Sequence, residues 1–136
     1  MIRTTDLLVS VGLVSAVACG VTPNPECDYV SDRGTCIKSA QVFDVGVVNT
    51  LEGELSDFGV KEFGLKVFVR PRKTSVGSYY PGKIYIAWHS DVCRTALAHE
   101  YAHFYQDVYL DLDVLAHDEE FRSIEAHLLS SIGCAD

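Results

Sequence analysis

The sequence predicts one α+β domain: a small mixed or antiparallel sheet packed on a helix that carries two histidines, with one helix before the sheet and one at the C-terminal end. Three observations lead there. The chain has 136 residues, of which 48% are hydrophobic, the composition of a packed globule with a single core. Two segments, "LKVFVRP" and "KIYIAW", alternate apolar and polar residues as half-buried strands do. Three others repeat apolar residues at helical spacing, and the middle one contains "LAHEYAH", residues 97–103. Charge narrows the partners: 19 acidic against 11 basic residues leave a net charge of −8, with no run of Lys and Arg, which disfavours nucleic acid.

Taken in order, residues 1–19 read as a leader. Arg3 precedes an apolar run over 7–18, suited to the hydrophobic region of a secretory signal and shorter than the roughly 20 residues of a membrane span. The run closes with small residues, "VSAVACG", before Cys19. This resembles a bacterial lipoprotein signal, in which the cysteine is lipidated and becomes the mature N-terminus. Ala16 stands where that pattern prefers leucine. Residues 20–36, with Pro, Gly, Asn, Asp and Ser and little periodicity, read as tether and loop, and residues 37–136 as the folded domain.

Within the domain, Val42, Phe43, Val45, Val48, Leu51 and Leu55 predict a first helix over 39–58, although Gly46 and the valines are weak helix formers. The two alternating segments follow, separated by "TSVGSYYPG", which offers turn residues and a short strand. Ser90 or Asp91 caps the next helix, which runs to about Tyr109. A loop then leads to a last helix over 118–132, with Glu119 and Glu120 suited to its first turn and Gly133 to its end. Setting Cys19 aside, four cysteines remain, an even number that an oxidising compartment favours. Of three connectivities, Cys27 with Cys36 closes a short polar loop, and Cys93 with Cys134 staples the start of a helix to the chain end.

The chemistry concentrates on the central helix. At about 100° per residue, His99, His103 and Gln106 share one side with Glu100 at its flank, while Leu97, Tyr101, Phe104 and Val108 form the back. In this H-E-x-x-H arrangement two neutral imidazoles bind zinc and the glutamate acts as general base toward water. A catalytic zinc takes three protein ligands, so a third is needed. His117 is the next suitable donor. Glu125, which falls within the apolar stripe of the last helix, is the competitor, either as ligand or as a partner that orients a ligand histidine. Gln106 is placed to touch the site's rim. Tyr79 and Tyr80 precede the helix, where either could steady an oxyanion. His89 and His127 read as structural or solvent-facing.

"AHEYAHFYQ", then a loop, then "AHDEEF" opening a terminal helix, resembles the SprT-like branch of the zincin metallopeptidases over about residues 60–132. The resemblance implies a minimal zincin-like fold, zinc held by His99, His103 and His117, Glu100 as base, and Phe121 as the aromatic that packs the third-ligand motif. Asp118 stands where the family commonly has glycine. The expected function is an exported zinc metallopeptidase, an endopeptidase rather than an exopeptidase, acting on peptides or proteins as a monomer. It is tethered to the cell envelope if Cys19 is lipidated, and periplasmic or secreted otherwise. Two alternatives stand beside it: a catalytically inactive, zinc-stabilised envelope binding module, and a peptidase of the glutamate-ligand class that uses Glu125.

Overall fold

The computed structural model of the chain describes residues 26–70 and 77–134. The leader over 1–19 with Cys19, the first part of the tether, residues 71–76 and the last two residues lie outside them. In chain order the elements are β1 (Tyr29–Val30), β2 (Cys36–Ser39), α1 (Val45–Asp57), β3 (Lys66–Arg70), β4 (Gly77–Tyr80), β5 (Lys83–Ala87), a 3-10 turn (Val92–Arg94), α2 (Leu97–Val108) and α3 (Glu119–Ser131). The architecture is α+β, with one mixed five-stranded sheet in the order β1-β2-β3-β5-β4. α1 precedes three of the strands and α3 is the C-terminal helix. Among the described residues no helix is long and apolar enough to cross a membrane.

One strand, β1, lies where the sequence reads as loop, and β2 begins at the end of that stretch and runs to Ser39, where the sequence reads as the start of a helix. Tyr29 and Val30 pair antiparallel with Ile37 and Cys36, and the hairpin between them is closed by Gly34 N–H donating to Ser31 O. A two-residue strand is too short to show alternation, and its partner is half hidden among turn formers. The first helix also begins later than its apolar pattern implies. β2 claims Ser39, whose hydroxyl donates to Gln41 O at 2.6 Å, and Asp44 caps α1 by accepting from Gly46 N–H at 2.9 Å. A side-chain cap of this kind sets the helix start more firmly than apolar periodicity does. Val42, ahead of the cap, is 87% exposed.

The inner strand pairs, β2 with β3 and β3 with β5, run parallel, and the outer pairs run antiparallel. Ile37, Val67, Val69, Ile84 and Ile86 are buried on one face, where they join Val48, Leu51 and Leu55 of α1 and Leu97, Tyr101 and Phe104 of α2 in a single core. α2 lies against β4, and α3 lies across α2 and α1. Under α2 the buried carboxylate of Glu52 accepts from Ser31 Oγ at 2.8 Å, from Tyr101 OH at 2.7 Å and from Thr35 Oγ1. One acid thus ties the β1–β2 hairpin, α1 and α2 together, with no opposing charge on it among the described residues, because three hydroxyl donors satisfy it.

Both disulfides close in the pairing read from the sequence, Cys27 with Cys36 and Cys93 with Cys134, with Cα–Cα distances of 5.3 and 5.4 Å. Two formed disulfides fit an oxidising, exported environment.

Candidate metal centre

α2 does not start at Asp91. Asp91 caps the 3-10 turn by accepting from Cys93 N–H, Thr95 is extended with ψ 161°, and the helix restarts at Leu97. The break comes from Thr95, whose hydroxyl donates back to Val92 O and accepts from Leu97 N–H, a local bonding pattern that competes with helix. Beyond it, nine residues from Leu97 to Gln106 are buried, so the helix is enclosed on more than its apolar side. The exception on that side is Val108, 48% exposed, because the last turn leads into the exposed 109–115 loop.

Four residues apart on α2, His99 and His103 project in one direction, and His117 meets them from the residue before the Asp118 cap of α3, whose carboxylate accepts from Phe121 N–H at 2.9 Å. One nitrogen from each of the three imidazoles lies within 4.8 Å of the other two. His103 is buried, His99 half-buried and His117 exposed, so the group opens on the His117 side. Phe121, 1% exposed, lies beside all three rings, with centroids 4.6 Å from His103 and 4.9 Å from His99 and His117. It is the floor on which the imidazoles are set.

The outer nitrogens fix the tautomers. His99 Nδ1 lies 2.8 Å from Glu125 Oε2 and His103 Nδ1 lies 2.8 Å from Gln106 Oε1. Both partners are acceptors, so each Nδ1 is the donor, which leaves Nε2 as the nitrogen each neutral ring can offer to the interior of the group. Gln106 also donates through Nε2 to Ala116 O at 2.8 Å, linking the buried His103 on α2 to the loop that carries His117. His103 Nε2 and His117 Nε2 are 3.1 Å apart. Two nitrogens sharing one divalent ion at about 2.0–2.1 Å in tetrahedral geometry stand roughly 3.3 Å from each other. The His103–His117 pair has that spacing, and the three nitrogens together could hold a metal ion.

Glu100, 4% exposed, faces the other wall. No hydrogen-bond donor among the described residues reaches its carboxylate, and burial pushes its pKa from 4.5 up to about 7, with His99 lowering it and Glu125 raising it further. The same burial lowers the pKa of His103, against a raising contribution from its bond to Gln106. β4 approaches Glu100 closely only because residue 77 is glycine. A Cβ there would sit 2.6 Å from Ala96 Cβ and 2.8 Å from Glu100 Oε2. The signal for Gly77 in the sequence is an isolated glycine in a strand pattern, a sign of close backbone approach that the turn formers around it conceal.

The two tyrosines go elsewhere. Tyr79 donates through its hydroxyl to Asp107 Oδ2 at 2.6 Å, and burial together with that carboxylate raises its pKa well above the usual phenol value. Its proton is engaged on α2. Tyr80, the next residue on β4, points to the opposite sheet face and meets Tyr85 edge-on, since successive strand side chains alternate. It does not face the histidines. Of the remaining histidines, His127 Nε2 lies 2.6 Å from Glu54 Oε1, and His89 Nδ1 accepts from Asp91 N–H.

Comparison with protein-family models, with curated proteins and with solved structures finds no match.

Proposed function

We propose that the protein is an exported zinc metallopeptidase that hydrolyses internal peptide bonds with Glu100 as general base, in keeping with the resemblance to SprT-like zincins. The observation that carries this reading is the convergence of three imidazole nitrogens within 4.8 Å beside a buried carboxylate without a hydrogen-bond donor among the described residues. Three neutral nitrogen ligands with an open fourth side match the ligand set of catalytic zinc sites, and His117, the exposed member, is where a substrate would enter. When bound, zinc supplies Lewis acidity toward the scissile carbonyl and acidifies water. Glu100 takes the proton from the attacking water at its carboxylate and returns it to the leaving amine, a task for which a carboxylate raised toward neutral pH is suited.

Around that centre the chain's own residues orient and exclude. Glu125 holds the His99 ring and Gln106 holds both the His103 ring and the Ala116 carbonyl, so the ligand nitrogens are aimed before any metal arrives. β4 is an edge strand lying along α2, and its outer side offers backbone groups to an extended peptide, which recognition by strand addition would read with little regard to sequence. A peptide laid there passes Gly77 and Glu100. The leader over 1–19, with Cys19 as the lipid-bearing residue, would place this activity on the outer side of a membrane.

The test has two parts. Purified protein produced with ample metal is expected to hold one zinc per chain by elemental analysis, and Glu100→Gln is expected to keep that zinc while losing hydrolysis of a peptide that the wild type cleaves. Absence of stoichiometric metal sinks the reading. Stoichiometric zinc without turnover in the wild type would leave a metal-stabilised binding module in its place.

A further inference from the structure

The sheet has a second face, turned away from α2. The alternation that buries Ile37, Val67 and Ile84 turns Lys38, Lys66, Phe68, Arg70, Lys83 and Tyr85 outward. Register draws residues far apart in sequence into one patch: Lys66 stands beside Lys83, Lys38 beside Phe68, and Phe68 beside Tyr85. All four cations are exposed, and among the described residues none is ion-paired with a carboxylate. Like charges set directly opposite one another on neighbouring strands cost stability, so the fold does not account for Lys66 beside Lys83. Glu26 lies at the edge of this face beside Lys38 and Lys66, whereas Glu52, Glu54 and Asp57 in α1 and Glu119, Glu120 and Glu125 in α3 belong to the helices on the other side. A chain of net charge −8 therefore keeps a mainly cationic plane on a face that, among the described residues, no helix covers.

The aromatic rings on this plane narrow the ligand. Phe68 and Tyr85 stack at 4.9 Å and 15°, the Arg70 guanidinium lies 5.2 Å over Tyr85, and Tyr80 meets the same ring edge-on. With Phe68, Arg70 and Tyr80 all packed on it, Tyr85 has little ring face left for a base or a sugar. Recognition falls to the charges, with phenolic rims at the level of the cations. Such a combination of flat extent, Lys and Arg heads and amphipathic tyrosines suits a lipid headgroup layer. The chain leads the same way. Glu26, the first described residue, shares a hollow with Cys36, Lys38, Lys66 and Phe68. Its distance from Cys19, seven residues, spans at most about 25 Å.

We propose that this face docks on an anionic phospholipid surface, with Lys38, Lys66, Arg70 and Lys83 at the phosphates. Docked so, the protein turns α2 and its histidines away from the bilayer and toward substrate. The proposal is independent of the metal site and of turnover there.

Lysine footprinting of the full chain tests it. The protein is reconstituted into vesicles of phosphatidylcholine alone, or of phosphatidylcholine and phosphatidylglycerol in equal parts, treated with an amine-acylating reagent, and each lysine is read by mass spectrometry. Lys38, Lys66 and Lys83 are expected to react several-fold more slowly in the anionic vesicles, since each cation near such a surface contributes about fivefold in partitioning at low salt. Lys61, in the loop that packs near Phe104 and Tyr109, should react equally in both. Salt near 1 M, where the Debye length is about 3 Å, should erase the difference. Exchanging Lys66→Glu and Lys83→Glu together should abolish protection at Lys38. Equal reactivity in the two vesicles overturns the proposal, as does protection of all lysines alike. Protection that appears without lipid and grows with protein concentration also overturns it, by assigning the face to the acidic helices of a second copy.

Discussion

Glu100 carries an unfavourable burial that the metal-free protein must bear. Below pH 4.5 its carboxyl is protonated folded and unfolded alike. Between 4.5 and about 7 the unfolded chain ionises while the folded one keeps its proton, so stability of the metal-free protein falls as pH rises through that window. At about 1.4 kcal/mol per pKa unit the loss is at most roughly 3 kcal/mol. His103, with a lowered pKa, tilts the other way below 6.5. The informative quantity is therefore the difference between wild type and Glu100→Gln. Urea midpoints of the metal-free proteins should converge near pH 4.5 and separate toward pH 7, with the variant the more stable. At the ligands, His117→Ala should lose more zinc affinity than Glu125→Gln, whose loss should be about 10–100-fold, as for a partner that orients a ligand. Competition with a chromogenic chelator measures both, and the reverse order would make Glu125 the ligand.

At the scale of elements, the site depends on how closely β4 and α2 approach. Gly77 governs that spacing. Gly77→Ala would press a methyl group against Ala96 at the rigid start of α2 and against Glu100, and overpacking of this kind costs about 1–3 kcal/mol. The expected result is a lower denaturation midpoint, together with a fall in peptide hydrolysis at temperatures where the variant is still fully folded. A variant as stable and active as wild type would mean that β4 yields freely. α2 itself is held from behind by Tyr101 on Glu52 and in front by Gln106 on Ala116 O, which gives the helix of His99 and His103 the rigidity a preorganised site needs.

Across the whole molecule, the two disulfides constrain unequal lengths of chain. Cys93–Cys134 separates residues by 41 positions and Cys27–Cys36 by 9. On the chain-entropy account these are worth roughly 4 and 2.5 kcal/mol. Opening Cys93–Cys134 by a paired change to alanine should therefore lower the unfolding midpoint further than opening Cys27–Cys36. It should also weaken zinc binding, because this bridge joins the turn before α2 to the end of α3, the two elements that bring the histidines together. An equal loss of metal affinity from either bridge would refute that coupling.

What the sequence determined by itself was local. His99 and His103 share a helix face because they are four residues apart, Asp118 and Gly133 bound α3 because one is a side-chain cap and the other holds φ 84°, and the cysteine count and spacings pointed to the pairs that form. The strands β3 and β5 were legible for the same reason, their period of two, and β4 only as a short strand among turn formers. The rest needed the fold. β1 is too short for a period, the start of α2 was moved by a threonine's hydrogen bonds, and Tyr80 was turned away from the site by alternation on a strand whose facing side only packing could reveal. The use of Gly77, the three hydroxyls on Glu52, Glu125 behind His99 rather than among the three nitrogens, and four scattered cations on one plane all depend on register and on contacts between distant segments. No local spacing encodes those contacts, because they are set where hydrophobic burial brings separate elements together.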